Sequence, residues 1–230
     1  MKNIILIGDS IRLGYDKYVS ESLQDLANVV FPEENCRFAQ YILRNLHYWI
    51  EETKITTPDV IHWNAGLWDT LRIYGDEPLT SLDTYLEMLS RTQDRIELLY
   101  PDAISIFATS TPVDESGFIK EFEVRYNADV ERYNDAAAEL LSKRGVIIND
   151  LYSLMKDKPN SLHSDQTHYY TAEGTRVLGN KVVEVLCDAL KLDKEKIIYP
   201  DTSKFVVTDG KNDTEMYIKR GNVYEKILGI

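Results

Sequence analysis

Two distant stretches carry the residue types that acyl-transfer chemistry needs. "IILIGDSIRLGY", residues 4–15, runs apolar and β-branched to Gly8, then offers Asp9 and Ser10. "HSDQTHYYTAEG", residues 163–174, offers Asp165 and His168 three positions apart. A serine hydroxyl is a weak nucleophile until a base takes its proton, and an imidazole is that base when a carboxylate orients it. The short spacing lets the Asp165 carboxylate reach its neighbouring ring. Each residue also has a plainer reading. Ser10 stands where a helix begins and belongs to a type that caps helices. A lone loop histidine is usually solvated. The decision rests on whether the fold brings the two stretches together.

The elements between them are legible from periodicity. Short apolar runs at Asn3–Ile7, Asn28–Phe31, Asp59–Trp63, Ala103–Ala108 and Val146–Asn149 read as buried strands. Helical spacing separates them. Phe38, Ile42, Leu46 and Trp49 form one stripe. Leu82, Leu86, Leu89, Ile96 and Leu99 form a second, with one polar gap. Val130, Tyr133, Ala137 and Leu140 form a third that ends at Gly145, and Leu178, Val182, Val185 and Ala189 form the last. Strands alternating with helices predict an α/β fold. Right-handed crossovers make it a flavodoxin-like three-layer αβα sandwich with a five-stranded parallel sheet in the order 2-1-3-4-5. Ligands bind such sheets beyond the carboxyl ends of the strands. Ser10 follows the first strand, Asn64 to Asp69 follow the third, and the Asp165–His168 loop follows the fifth. All three predicted loops share that rim. Thr171 is the expected N-cap of the last helix.

The pattern changes after about Leu190. Residues 1–190 are read as the main domain, and 191–230 as a small β extension. "IIYP", "KFVVTDG", "EMYIKR" and "VYEKIL" look like short strands joined by turns such as Asp209-Gly210 and Gly221-Asn222. This tail is too small to fold alone and is expected to pack on the domain or on a neighbouring subunit, a homo-oligomer in the latter case.

Composition narrows the partners. Apolar residues make up 43% and charged residues 28% of 230, the balance of an ordinary globule. A formal charge of −12 argues against nucleic acid or an anionic membrane, since phosphates would be repelled. The start, MKNIILIGDS, lacks the form of a secretory signal, and no stretch has the length of a membrane span, so a cytoplasmic protein is expected. The only cysteines, Cys36 and Cys187, lie too far apart in sequence to suggest a disulfide framework or a cysteine zinc site.

With these residues in view, the chain resembles an SGNH (GDSL-type) serine hydrolase over roughly residues 3–190. "IGDS" matches the family's first block and "DQTH" its last, Asp-x-x-His. The resemblance implies Ser10 as nucleophile, His168 as general base and acid, and Asp165 as the group that orients His168. It implies no metal and no organic cofactor. The middle blocks depart from the family. The second block normally supplies a glycine N–H to the oxyanion hole, and Cys36 stands there, within "ENCRF". The third is normally Gly-x-Asn-Asp, but "NAGLWD" puts Trp68 where the asparagine belongs. Either the Trp68 indole or the amide of Asn64 replaces that donor, and Asn64 has the expected chemistry. The oxyanion hole is therefore read as Ser10, Cys36 and Asn64. Losing one such donor costs about 3–4 kcal/mol in the barrier. Asp69 is read as a brace of this loop through backbone hydrogen bonds, or as a simple turn or cap residue.

Further residues fall near the predicted rim. Asp9, Trp68 and Arg37 are candidates for substrate binding. Trp63, Trp68, Tyr15 and Tyr74 offer faces on which a sugar ring can stack, or else they pack the core. Arg12 either meets an anionic substrate, is solvated, or pairs with a carboxylate. Tyr169 and Tyr170 are read as loop packing, and His62 as a strand residue that packs. The expected function is hydrolysis of a small or carbohydrate O-acyl ester, an acetyl ester foremost. Two other classes compete. The Trp68 departure suggests a non-catalytic carbohydrate-binding module, and His163, Asp165 and His168 together suggest a metal-dependent hydrolase.

Overall fold

The computed structural model of the protein describes residues 1–202 together with the strands Met216–Arg220 and Val223–Leu228. Nine strands and six α-helices follow in the order β1 Lys2–Ile7, α1 Ser10–Ser22, β2 Ala27–Val30, α2 Ala39–Thr53, β3 Val60–Trp63, β4 Arg72–Ile73, α3 Leu82–Leu99, β5 Ile104–Ala108, β6 Glu123–Val124, α4 Asn127–Ser142, β7 Ile147–Asn149, α5 Leu151–Lys156, α6 Ala172–Leu190, β8 Met216–Arg220 and β9 Val223–Leu228, among the described residues. The main sheet runs β2-β1-β3-β5-β7. Every pair in it is parallel. Counted among its own strands, that is the expected 2-1-3-4-5.

Interior strand β1 shows why both sheet faces are covered. Ile4 to Ile7 are all fully buried. Side chains alternate across a strand. Ile4 and Leu6 therefore join the cluster under α1 and α6, with Tyr15, Val19, Val182 and Leu186. Ile5 and Ile7 join the opposite cluster under α2, α3 and α4, with Leu46, Trp49, Leu89 and Ala137. Each such side chain contributes about 1.5–3 kcal/mol by leaving water, so the strand that leads to Ser10 is firmly held.

The structure revises several local expectations. The buried face of α3 is Tyr85, Met88, Leu89, Thr92, Gln93 and Ile96. Leu99 is exposed. Gln93 faces inward because it accepts a hydrogen bond from Ser105 Oγ at 2.8 Å. The ribbon of β4 and β6 was not foreseen, since two residues carry no readable period. "IIYP" is no strand. Asp193 caps a 3₁₀ turn at Lys194–Lys196, and the chain then returns to α1, where Ile198 N–H donates to the Ser22 carbonyl at 3.3 Å. "EMYIKR" and "VYEKIL" do supply β8 and β9, an antiparallel pair. "KFVVTDG", the two named turns and the docking of this extension lie outside the described residues. Among those residues, no helix is long and apolar enough to cross a membrane.

Arg12 does not face solvent or a ligand. Its guanidinium is fully buried and ion-paired with Asp16 on the next turn of α1. It also donates to the carbonyls of Pro32 and Glu34, which clasps the segment after β2 onto α1. Removing one member of a buried pair leaves an uncompensated charge. Arg12→Met is therefore expected to lower stability in urea unfolding by about 3–5 kcal/mol. A loss below about 1 kcal/mol would contradict the clasp.

Candidate active site

Strand β1 stops at Ile7, and α1 begins at Ser10. The cap of that helix is Asp9, whose Oδ1 accepts the Ile11 N–H at 2.9 Å. Capping by Asp9 frees the Ser10 hydroxyl for other partners. Gly8 is required here. A Cβ at this position would sit 1.9 Å from Asn64 Oδ1 and 2.8 Å from Arg12 Cβ. The Ser10 N–H heads α1 and so has no intrahelical acceptor.

The loop before α6 builds its own geometry. Asp165 Oδ1 accepts the N–H groups of Thr167 and His168 at 2.7 and 2.8 Å. Its Oδ2 lies 2.7 Å from His168 Nδ1. Thr171 caps α6 as expected, accepting from the Gly174 N–H at 3.0 Å. Burial would raise the Asp165 pKa, but the hydrogen bond and charge of His168 and the two backbone donors outweigh it and bring it to about 2. Ionised Asp165 assigns the proton to Nδ1. Nε2 is then an acceptor, 2.8 Å from Ser10 Oγ. Serine, imidazole and carboxylate thus form one hydrogen-bonded series.

The loop after β3 is tied down carbonyl by carbonyl. Tyr85 Oη donates to the Ala65 carbonyl at 2.8 Å, the Thr70 N–H to that of Gly66 at 2.9 Å, and Arg125 Nε to that of Leu67 at 2.6 Å. Gly66 has a φ of +146°, and a Cβ there would lie 2.3 Å from Ser110 Oγ. Asp69 links this loop to the start of α2. Its carboxylate reaches across to the first N–H of α2, at Ala39, at 3.2 Å. Burial is the main reason its pKa rises to about 7.

Not every expected site residue arrives. Asn64 does, since its buried amide covers Gly8 and adjoins Asp9. Asp9 is fully buried, and burial raises its pKa, so it supports the turn instead of touching substrate. The Cys36 N–H donates to the Gly8 carbonyl at 3.0 Å, which engages the donor meant for the oxyanion hole. Arg37 does adopt a left-handed φ of 54°, but its N–H goes to Asn35 Oδ1 and its guanidinium lies over Tyr41. Trp68 is half-buried. Among the described residues, no hydrogen bond, ion pair or ring contact joins Trp68 or Arg37 to Ser10, Asp165 or His168. Of the four rim aromatics, Trp63 and Tyr15 are core, leaving Trp68 and Tyr74 open to solvent. His62 is core too; burial lowers its pKa to about 4. Among the described residues, no group of three or more His, Cys, Asp or Glu is placed to hold a metal ion. Both ring nitrogens of His168 are already engaged.

Arg125 escaped the sequence reading, and Tyr170, read as loop packing, does more than pack. Arg125, only 8% exposed, lies between loops. Its Nε holds Leu67, its guanidinium lies 6.0 Å from the Phe118 ring, and its charge is felt by Asp9. A basic residue before a helix gives no sequence signal of such burial. Tyr170 stacks on His168 with ring centroids 4.7 Å apart, and its hydroxyl donates to the Ser10 carbonyl at 2.7 Å.

No family model matches the chain, and no curated protein matches it. Solved structures do. The chain is similar to a lipase/acylhydrolase from Enterococcus faecalis, with a TM-score of 0.66 and 20% identity, covering 84% of this chain and 98% of that one. It is similar to an acetyl xylan esterase, with a TM-score of 0.62 and 15% identity, covering 80% of this chain and 99% of the other. A GDSL-like lipase from Bacteroides thetaiotaomicron gives a TM-score of 0.64 and 13% identity, covering 82% and 89%. The fold is therefore that of the GDSL/SGNH-type hydrolases.

Asp69 makes a pH-dependent prediction. Its pKa is about 7 when folded, against an ordinary value of 3.8. Across that window the native state holds a proton that the unfolded chain has lost. Its contribution is present below pH 4, falls as pH rises toward 7, and then levels off. Asp69→Asn keeps an acceptor for Ala39 and should flatten that decline in urea midpoints measured from pH 4 to 8. An unchanged slope in the variant would contradict the assignment.

Proposed function

We propose that the protein is a serine ester hydrolase acting on a small or carbohydrate O-acyl ester, an acetyl ester foremost. The observation that carries this reading is the series Ser10 Oγ, His168 Nε2, His168 Nδ1, Asp165 Oδ2, with contacts of 2.8 and 2.7 Å. Ser10 Oγ attacks the ester carbonyl as His168 Nε2 takes its proton, and Asp165 steadies the imidazolium. His168 returns the proton to the leaving alcohol. Water, activated in turn by His168, releases the acyl group.

The tetrahedral oxyanion is held by the Ser10 N–H, at the positive end of α1, and by the Asn64 amide. Asn64 takes the place of the asparagine that Trp68 displaces. Trp68 and the exposed Tyr74 ring offer stacking faces for a sugar. The acetyl xylan esterase among the similar structures supports the same substrate class. The acidic chain keeps polyanions such as nucleic acid away.

A chromogenic acetyl ester tests the reading. Ser10→Ala should lower kcat by about 10⁴-fold or more. Turnover equal to wild type would exclude the serine mechanism. Asn64→Ala should lower kcat by about 10²- to 10³-fold with KM little changed. A wild-type kcat in that variant would remove Asn64 from the oxyanion hole.

A further inference from the structure

The hydrolase reading accounts for Asp165 holding His168 within the plane of its ring. It leaves open what holds the ring against tilting out of that plane. Both nitrogens bond along the ring plane, so hydrogen bonds alone restrain tilt weakly. Tyr170 covers one face of the imidazole, with an interplanar angle of 23° and centroids 4.7 Å apart. The same side chain reaches the nucleophile's backbone, where its hydroxyl donates to the Ser10 carbonyl at 2.7 Å. One residue thus touches both members of the proton-transfer pair.

Helix α1 makes room for it. Gly14 lies four residues after Ser10, one turn along the same face. A Cβ on Gly14 would sit 3.0 Å from both Cδ1 and Cε1 of the Tyr170 ring. Its backbone does not require glycine, because its φ is not among the positive ones. Glycine inside a helix is otherwise unfavourable relative to alanine. The notch therefore has one evident use, which is to seat the ring.

Resting on the hydrolase reading above, we propose that Tyr170, seated in the Gly14 notch of α1, is a positioning residue that aligns His168 with Ser10. The ring fixes the imidazole's tilt, and the hydroxyl fixes the turn from which the nucleophile projects. Misplacing a reacting group by an ångström is enough to slow chemistry without weakening binding.

The test is the rate of Ser10 labelling by a fluorophosphonate, together with kcat and KM on an acetyl ester and the melting temperature. The variants are Tyr170→Phe, Tyr170→Leu and Gly14→Ala. Tyr170→Leu should slow labelling roughly 10- to 100-fold, with kcat falling in step and KM held. Tyr170→Phe, which keeps the ring, should fall between Leu and wild type. Gly14→Ala, whose Cβ would press on the Tyr170 ring at 3.0 Å, should likewise slow labelling and lower kcat with KM held. A residue that merely packs would shift the melting temperature and leave the labelling rate and kcat at wild type. Wild-type labelling rates in both Tyr170→Leu and Gly14→Ala would overturn the proposal while leaving the hydrolase reading intact. A wild-type protein that the reagent does not label would overturn both.

Discussion

Ser10 Oγ and His168 Nε2 must stay 2.8 Å apart although 158 residues separate them in the chain. The fold can be understood from that constraint. Ser10 starts α1 directly after β1, and His168 lies in a short, internally hydrogen-bonded loop just before α6. Ser10 follows β1, an interior strand whose last four residues are wholly buried. His168 is carried by a turn that α6 begins, and α6 packs directly on α1. Parallel strands place every such junction on one rim, which lets distant segments meet without a long excursion.

Under that rim lies an unusual amount of buried polarity. Asp9, Asp69 and Arg125 are each at most 8% exposed. Burying acids is unfavourable, and burial is the leading reason why the pKa values of Asp9 and Asp69 rise. Each is retained because it holds backbone that nothing else holds. Asp9 caps α1, Asp69 satisfies the first N–H of α2, and Arg125 secures the loop after β3. These buried polar groups, with the hydroxyl of Tyr85, tie the rim's backbone to its neighbours.

The five-strand order and the Ser10, Asp165 and His168 grouping were readable because they rest on local signals. Buried strands show as apolar runs, and Asp-x-x-His closes on itself within one loop. What was not readable depended on direction. Trp63 and Tyr15 look like rim aromatics until the pleat and helix phase turn them into the core. Cys36 occupies the expected sequence position, yet its N–H is taken by Gly8 across a loop contact that no spacing announces. Gln93 turns a stripe of leucines because Ser105, on a neighbouring strand, offers it a partner. Arg125 was missed, and Tyr170 was read as loop packing alone, for the same reason. Their partners lie in other segments, so their importance exists only after folding.

The central claim is that Ser10 becomes covalently acylated. Acid-quenching the protein during turnover of an acetyl ester, then mapping the peptides by mass spectrometry, tests this most directly. The account predicts one acetyl group on the peptide that contains Ser10, and none there in Ser10→Ala. Turnover without a Ser10 adduct, or with the acetyl group on another residue, would contradict it.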